Sequence, residues 1–228
     1  MSRSTFLFLV VLTVAAAAFF VVMPFVDFGL ASLFYSEPGQ FVGRGALGDV
    51  GRYIFATVPF LIGVAFLIAW GARRLDAGFA RSWRFAPLGR QVAFLAVSLA
   101  LGPGLLVNLA LKDHTHRPRP AHIVGFGGTM DHRPFYATDG ACKKNCAFPS
   151  GEAAASFWLV APAMLAPPPA RPWAIACALL FGAATGLLRM AFGGHFLSDV
   201  VFGGLLTLLV IGLCWRVFFG WGREANSE

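Results

Sequence analysis

Charged side chains are scarce in this chain. Only 13% of its 228 residues are charged, whereas 57% are hydrophobic and 24 are phenylalanine. Soluble domains carry about 25% charged residues, so a soluble protein of this length would have too little polar surface to cover its apolar side chains. The same composition excludes intrinsic disorder and polar low-complexity repeats. It therefore predicts a polytopic membrane protein.

The few charged residues are mostly basic. Lys and Arg number 18 against 11 Asp and Glu, which gives a net charge of +7. No DNA- or RNA-binding motif accompanies this charge, so we expect no nucleic-acid partner. In a membrane protein, basic residues anchor helix ends at anionic lipid surfaces or bind an anionic substrate.

Six apolar stretches approach the ~20 residues that a membrane-spanning helix needs: 5–26, 53–72, 91–111, 153–170, 172–188 and 198–219. The first could be a signal peptide, but its apolar region exceeds the usual ~7–15 residues and no small-x-small cleavage site precedes Asp27. We therefore expect a retained helix. The predicted fold class is all-α, with six transmembrane helices in one bundle forming a single membrane-embedded domain over 1–228.

Basic residues in the loops predict the orientation. The second loop, 73–90, holds five Arg and one Asp, which is typical of a cytoplasmic loop. Both termini are then cytoplasmic, and the first, third and fifth loops lie outside. Lys and Arg total nine on each side, so this prediction depends on reserving Lys112, Arg119 and Arg189 for function. In either orientation the third and fifth loops share one face.

Charge and histidine are concentrated in the third loop. Ten charged residues and four of the five His fall between Lys112 and Glu152. Lys112 and Arg119 alone could be anchors that extend from a helix end to the lipid surface. Together with Arg117 they form a cationic patch suited to phosphate.

Two further segments suggest chemistry. Ser150 and Gly151 precede the fourth span, where an N-cap serine and a glycine open to a ligand would expose backbone N–H groups to an anion. An ordinary capped helix explains them equally well. His195 and Asp199 are one helical turn apart, so the carboxylate can fix the tautomer of the imidazole and activate it. A polar pair at a helix end is the alternative.

A zinc site is a further possibility for the third loop, from His114, His116, His122, His132, Cys142 and Cys146. Their spacings match no standard zinc pattern, and the neighbouring Lys and Arg side chains repel a cation. We therefore predict neither a metal nor another cofactor. Cys142 and Cys146 could form a short-range disulfide on an outer face or remain free thiols.

The three segments together resemble the tripartite signature of the type-2 phosphatidic acid phosphatase superfamily: K-x6-R-P, then P-S-G-H, then S-R-x5-H-x3-D. Residues 112–120 match the first piece fully. Arg189, His195 and Asp199 match the third at the family's spacing. The matched positions run from 112 to 199, and the predicted six-helix layout extends the resemblance to the whole chain.

This resemblance implies a metal-independent phosphatase of membrane lipids that works through a phosphohistidine. His195 would be the nucleophile, and Asp199 would orient its imidazole. The phosphate oxygens would be held by basic side chains and by backbone N–H groups, at Lys112, Arg119, Arg189, Ser150 and Gly151.

Two positions depart from the family pattern. Leu188 stands in place of a serine, which removes one hydrogen bond to phosphate. Glu152 stands in place of the histidine proposed as proton donor, and a carboxylic acid can take that role if burial and phosphate charge raise its pKa. Glu152 combined with Cys142 and Cys146 resembles a bacterial subgroup related to lipid A phosphatases.

The expected reaction is hydrolysis of a lipid A phosphate at the periplasmic face of a bacterial inner membrane. Undecaprenyl pyrophosphate, phosphatidylglycerophosphate and phosphatidic acid are alternative substrates. A non-enzymatic binder or carrier of phospholipid headgroups is a further alternative, although a carrier would not need His195 with Asp199. The sequence leaves the oligomeric state open.

Overall fold

The computed structural model describes residues 1–36, 39–75 and 87–221, which are mostly helical. The helices are α1 Arg3–Val22, α2 Phe25–Ser32, α3 Ala46–Leu75, α4 Gly89–Leu111, α5 Gly151–Phe157, α6 Val160–Met164, α7 Arg171–Ala191 and α8 Leu197–Phe219. Short 3₁₀ turns occur at Pro120–His122 and Val124–Phe126. Residues 76–86, on which the orientation prediction partly rests, lie outside the described part of the chain.

Five of these helices are long and apolar enough to cross a membrane: α1, α3, α4, α7 and α8. They coincide with the predicted spans 5–26, 53–72, 91–111, 172–188 and 198–219. The apolar side chains of α1 and α3 are largely exposed, and only 6% of the most apolar window of α1 is buried, against 61% for α8. Exposed apolar faces of this size suit contact with lipid, so α8 is the central helix and α1 and α3 lie at the periphery.

The fourth predicted span differs from the expectation of one helix over 153–170. It consists of α5 and α6, separated by a turn at Trp158 and Leu159. The physical reason is Pro162, which has no N–H and whose ring would clash with the carbonyl of Trp158 in a continuous helix. The Trp158 carbonyl accepts from Ala161 N at 2.8 Å instead. This broken segment is buried against α7 and α8.

The middle of the bundle is an apolar core around two tryptophans. Trp158 and Trp215 are both fully buried, and the ring of Phe94 packs edge-on against Trp215. The indole N–H of Trp158 donates to Ser98 Oγ at 3.0 Å. These contacts join the broken fourth segment to α4 and α8 at the turn that follows α5.

The second half of α4, Ala100–Leu111, is wound as a π-helix. Lys112 N donates to Val107 O at 3.1 Å, and the side chain of Asn108 donates to Pro103 O at 2.7 Å. Wide turns of this kind are frequent at functional sites. Here the wide turns place Asn108 and Lys112 on the wall of one cavity.

The first loop contains a small antiparallel pair, β1 Tyr35–Ser36 and β2 Gln40–Phe41, that the all-α prediction did not include. Phe41 packs on Phe126 of the third loop with ring centroids 5.4 Å apart. Both belong to a buried cluster that includes Phe196, the neighbour of His195. The first loop therefore covers the third and fifth loops at the end of the bundle that carries the charged residues.

Candidate active site

His195 lies between α7 and α8, and its side chain is almost fully buried, with one edge on a cavity. Its Nδ1 is 2.7 Å from the carbonyl oxygen of Ala147. Because a carbonyl only accepts hydrogen bonds, this contact assigns the proton to Nδ1 and leaves the lone pair on Nε2. The ring therefore has the tautomer that an Nε2 nucleophile requires.

Burial lowers the pKa of His195 to about 4; Arg189 and Lys112 act in the same direction, and Asp199 opposes them. The imidazole is therefore neutral at pH 7. A neutral imidazole keeps its nucleophilic lone pair, so the surroundings of His195 favour covalent catalysis.

Asp199 lies in the first turn of α8, next to the imidazole but not directly bonded to it. Its Oδ2 is 3.7 Å from His195 Nδ1, beyond hydrogen-bond range, and accepts from Phe196 N at 2.7 Å. The backbone of Ala147 therefore holds the ring more directly than the predicted partner Asp199 does. Asp199 contributes a negative charge beside the ring.

Arg117 does not belong to the cationic patch in which the sequence placed it. Its guanidinium is fully buried and donates to Asp27 and Ser198 at 2.7 Å each, and to Asp199. It also lies 4.4 Å from the centroid of the Phe196 ring. Arg117 is thus a buried crosslink between the start of α8 and the first loop, and this part of the phosphate-patch prediction is wrong.

The cavity beside His195 has a volume of about 470 Å³ and combines a charged end with an apolar end. The polar wall is formed by Arg52, Asn108, Lys112, Arg119, Asn145, Gly151, Glu152 and His195. The apolar wall is formed by Ala56, Phe60, Leu99, Ala100, Pro103, Gly104 and Ala155. Four of the predicted phosphate-site or acid–base residues, Lys112, Arg119, Gly151 and Glu152, therefore meet His195 in one place.

Lys112 and Arg119 supply positive charge to this cavity. Burial lowers the pKa of Lys112 to about 8, with Arg119 as the next cause. Arg119 donates from Nε to Asn145 O at 3.0 Å, and Asn145 N is in turn held by Asp113 Oδ1 at 2.6 Å. Arg119 is thus positioned by the loop that follows α4. A bound phosphate would favour the charged form of Lys112.

Ser150 and Gly151 have different roles. Ser150 is fully buried; its N–H donates to Asp199 O at 2.9 Å, and its Oγ accepts from Ala153 N at the start of α5. That N–H already has a partner, so the structure does not offer it to phosphate as the resemblance implies. Gly151 lines the cavity, where an added Cβ would stand 2.3 Å from Asn108 Oδ1. A larger residue at that position would require the side chain of Asn108 to move.

Glu152 is paired with two arginines. Its carboxylate accepts from Arg52 Nη2 at 2.8 Å and lies 3.4 Å from Arg189 Nε. Burial alone raises the pKa of Glu152, but the hydrogen bond from Arg52 and the charge of Arg189 outweigh it and lower the pKa below its usual value. Glu152 is therefore ionised beside the two arginines, and the raised pKa that a proton donor needs depends on the charge of a bound phosphate, as the prediction from the sequence required.

Arg52 is a site residue that sequence reasoning missed. It comes from the second turn of α3, 100 residues before Glu152, and belongs to no motif. The one signal in the sequence was that Arg52 adjoins the predicted span 53–72, on the face of the membrane that carries the third and fifth loops. Asn108 was missed for a similar reason, since it lies inside a predicted span.

Arg189, in the last turn of α7, is buried beside Glu152 rather than on the wall that carries Lys112. An added Cβ at Gly194 would lie 2.5 Å from Arg189 Nη2, so the loop after α7 leaves room for the guanidinium only because it carries glycine there.

Cys142 and Cys146 form a disulfide, which decides between the two states that the sequence left open. The bridge encloses Asn145, the residue whose carbonyl positions Arg119. Across the residues that the structure describes, no three His, Cys, Asp or Glu side chains converge as a metal site.

Comparison with known proteins gives the family. The model of the PAP2 superfamily matches residues 91–223. A "Lipid A 4'-phosphatase" of Francisella tularensis subsp. novicida is 36% identical over 206 residues, 87% of this chain and 90% of that protein. Proteins of the same name from Rhizobium etli and Rhizobium leguminosarum are 31% and 30% identical over 85% and 94% of this chain, and over 72% and 96% of their own lengths.

No solved structure matches the chain. The family model nevertheless covers more than half of the sequence, including His195 and the polar loop before it, and the relatives extend the similarity over most of the remainder. This protein therefore belongs to the PAP2 superfamily, alongside its lipid A phosphatase members.

Proposed function

We propose that this protein hydrolyses a phosphate monoester of lipid A, the substrate class stated in the names of its relatives. The observation that carries the proposal is His195, neutral and with Nδ1 held by Ala147 O, on the wall of a cavity that also holds Lys112, Arg119 and Glu152. A free Nε2 next to fixed cations is the arrangement that phosphoryl transfer needs.

In the first step, His195 Nε2 attacks the phosphorus in line and forms a P–N bond while the bond from phosphorus to the lipid oxygen breaks. Lys112 and Arg119 offset the charge on the equatorial oxygens. The phosphorylated imidazole carries positive charge, which Asp199, 3.7 Å from Nδ1, stabilises through space. Lys112 and Arg119 perform the charge stabilisation that a metal ion would otherwise supply, so the proposed reaction includes no metal ion.

Glu152 is assigned the proton transfers. A phosphate dianion entering the cavity competes for Arg52 and raises the pKa of Glu152 by like-charge repulsion, so the carboxyl group can donate a proton to the departing lipid oxygen. Glu152 is then a carboxylate that takes a proton from the water that attacks the phosphohistidine. The P–N bond breaks, and inorganic phosphate and neutral His195 are released.

The apolar half of the cavity supports a lipid substrate. It lies between α3 and α4 and shares Phe60, Leu99 and Ala100 with an almost wholly apolar groove of about 290 Å³. Acyl chains can occupy this groove from the side while the phosphate reaches His195.

We also propose six membrane crossings in one domain, with the site facing the periplasm of a bacterial inner membrane. The segment from Ala153 onward is shorter than a full span, but helical breaks at membrane depth are tolerated where protein surrounds them, and α5 and α6 are buried. The disulfide beside Arg119 supports an oxidising compartment. The arginine-rich loop 73–90 supports a cytoplasmic location for the opposite face.

The test is phosphate release from lipid A in detergent by purified protein, with chelator present. We expect turnover by the wild type, none by His195→Ala, and near-normal turnover by His114→Ala, which replaces an exposed histidine of the third loop. A labelled substrate should give an acid-labile phosphoenzyme that His195→Ala lacks. Absence of wild-type release, or equal release by His195→Ala, would contradict the proposal.

The same assay with other lipids separates the alternatives. Undecaprenyl pyrophosphate, phosphatidylglycerophosphate and phosphatidic acid should be hydrolysed more slowly than lipid A. Binding of lipid A without phosphate release would instead favour the headgroup carrier.

A further inference from the structure

A second cavity lies on the far side of the arginines that line the catalytic one. Its volume is about 350 Å³, and it shares Arg52 and Arg119 with the first cavity. The other charged or titratable residues on its wall are Arg44, Asp49, His122 and Arg189. Neither His195 nor Lys112 lines it, so it is a separate compartment behind the catalytic cations.

The second cavity carries an excess of positive charge. Four guanidinium groups line it with one carboxylate, that of Asp49. Glu152 pairs with two of the four, Arg52 and Arg189, from the side of the catalytic cavity, so the positive excess is two charges. The positive field also reaches His122, whose pKa is lowered by burial first and then by Arg119 and Arg44. Guanidinium groups gathered in a small space repel one another, and an anion that binds two of them with paired N–H groups relieves this repulsion.

The backbone around the second cavity is fixed by hydrogen bonds from three loops. Arg44 Nε donates to Phe192 O at 3.3 Å, and Gly43 N donates to Ala191 O at 2.8 Å. Ala121 N donates to Gly193 O at 2.9 Å. Arg44 and Arg119 are therefore carried on interlocked loops, while Arg52 and Arg189 lie on the helices α3 and α7.

Arg189 supplies an independent sign of a ligand. Its side chain is 5% exposed, and its Nε has no hydrogen-bond partner among the described residues, with only the 3.4 Å ion pair to Glu152 nearby. A buried donor without a partner is costly. Arg189 lines the second cavity, so an anion bound there can accept from its guanidinium.

We propose that the second cavity binds a phosphate group other than the one being cleaved. This inference rests on the proposed function and extends it. The group is either a second phosphate on the headgroup of the same lipid or the inorganic phosphate released by hydrolysis. In both cases Arg52 and Arg119 couple the two cavities, because an anion on one side draws these guanidiniums away from the other.

The first experiment counts bound inorganic phosphate by equilibrium titration of the purified full-length protein. We expect two phosphates per wild-type chain and one for Arg44→Gln, which changes a residue of the second cavity outside the catalytic wall. Arg133→Gln, a third-loop arginine that lines neither cavity, is the matched control and should keep both. A single phosphate on the wild type, or two on Arg44→Gln, would overturn the second site.

The second experiment separates the two sources of phosphate. With lipids that carry one or two phosphate groups, Arg44→Gln should leave the one-phosphate kcat/KM within about twofold. If the site serves the headgroup, the KM for the two-phosphate lipid rises about tenfold, the effect of one charge-assisted contact. If it serves the product, inhibition by inorganic phosphate weakens about tenfold instead. No change in either quantity would overturn the proposal.

A conservative variant and the hydrolysis assay complete the test. Arg44→Lys retains the charge, so it should bind the second phosphate with intermediate affinity even if Arg44→Gln is produced poorly. A wild type that binds two phosphates but hydrolyses no lipid would contradict the proposed function and leave the second anion site standing.

Discussion

Two clusters of arginine and carboxylate lie at the same end of the bundle, and they differ in how deeply they are buried. In the inner network, Asp27, Arg117, Ser198 and Asp199 are all buried, and Arg117 is shared between two carboxylates. In the outer cluster, Glu152 is paired with Arg52 and Arg189, with the Arg52 side chain 47% exposed and that of Glu152 24% exposed. A closed network fixes the backbone, whereas an open cluster can exchange a partner with a substrate.

Arg117→Ala should have the largest effect, on stability. It leaves two carboxylates buried without a cation, and breaking a buried pair in this way costs roughly 3–5 kcal/mol. We expect a marked fall in thermal stability in detergent and a low yield. Arg133→Ala, which removes an exposed pair with Asp139, is the control and should be near neutral. An unchanged unfolding temperature for Arg117→Ala would show that the inner network is not a structural element.

Glu152→Gln should have the next largest effect, on turnover. The amide keeps the size of the side chain but cannot transfer a proton, and a general acid–base group typically contributes ~10²–10⁴-fold. We expect kcat to fall at least about 100-fold, with little change in KM and in unfolding temperature. Turnover at the wild-type rate would exclude Glu152 from proton transfer.

Arg52→Gln should have a smaller effect, on substrate binding and turnover together. Loss of one charge-assisted contact corresponds to about a tenfold decrease in kcat/KM. Because the pair with Glu152 is solvent-exposed, stability should change by less than about 1 kcal/mol. Arg52→Lys should recover part of the activity. A large loss of stability would instead make Arg52 a member of a structural network like that of Arg117.

The smallest effect is a pH dependence that arises from Lys112, on the wall of the catalytic cavity beside the outer cluster. Lys112 has a pKa lowered to about 8, so its ammonium form is lost as the pH rises through that value, and kcat/KM should fall above pH 8. Lys112→Arg should move this decline to higher pH. His195, with a pKa of about 4, should add no enzyme-dependent decline between pH 5 and 7. If kcat/KM of Lys112→Arg declines above pH 8 as it does in the wild type, the decline belongs to another group.

The sequence predicted the membrane-spanning helices well, but it predicted the partners of the charged side chains less completely. Five of six predicted spans coincide with long apolar helices, because hydrophobic length is a local property. The break at Trp158 depends on Pro162 and on burial by neighbouring helices, which periodicity does not reveal. Asp27 marked only the end of a span until the fold brought it 2.7 Å from Arg117.

Candidate site residues were predicted where a motif fixes their spacing. Lys112, Arg119, Gly151, Glu152 and His195 line one cavity, as the order of the segments suggested. Arg52 and Arg117 show the limit of this approach. An arginine in a sequence has no visible partner, so neither the pairing of Arg52 with Glu152 nor the burial of Arg117 could be inferred before the chain was folded.

The contact between His195 Nδ1 and the carbonyl of Ala147 has an evolutionary consequence. In a triad whose histidine is held by a carboxylate, one codon change can remove the orienting group. Here the acceptor is a peptide oxygen that every amino acid provides, so substitutions at position 147 alter packing but leave the acceptor in place. The residue at position 147 can therefore change while the tautomer of the nucleophile stays encoded in the path of the backbone.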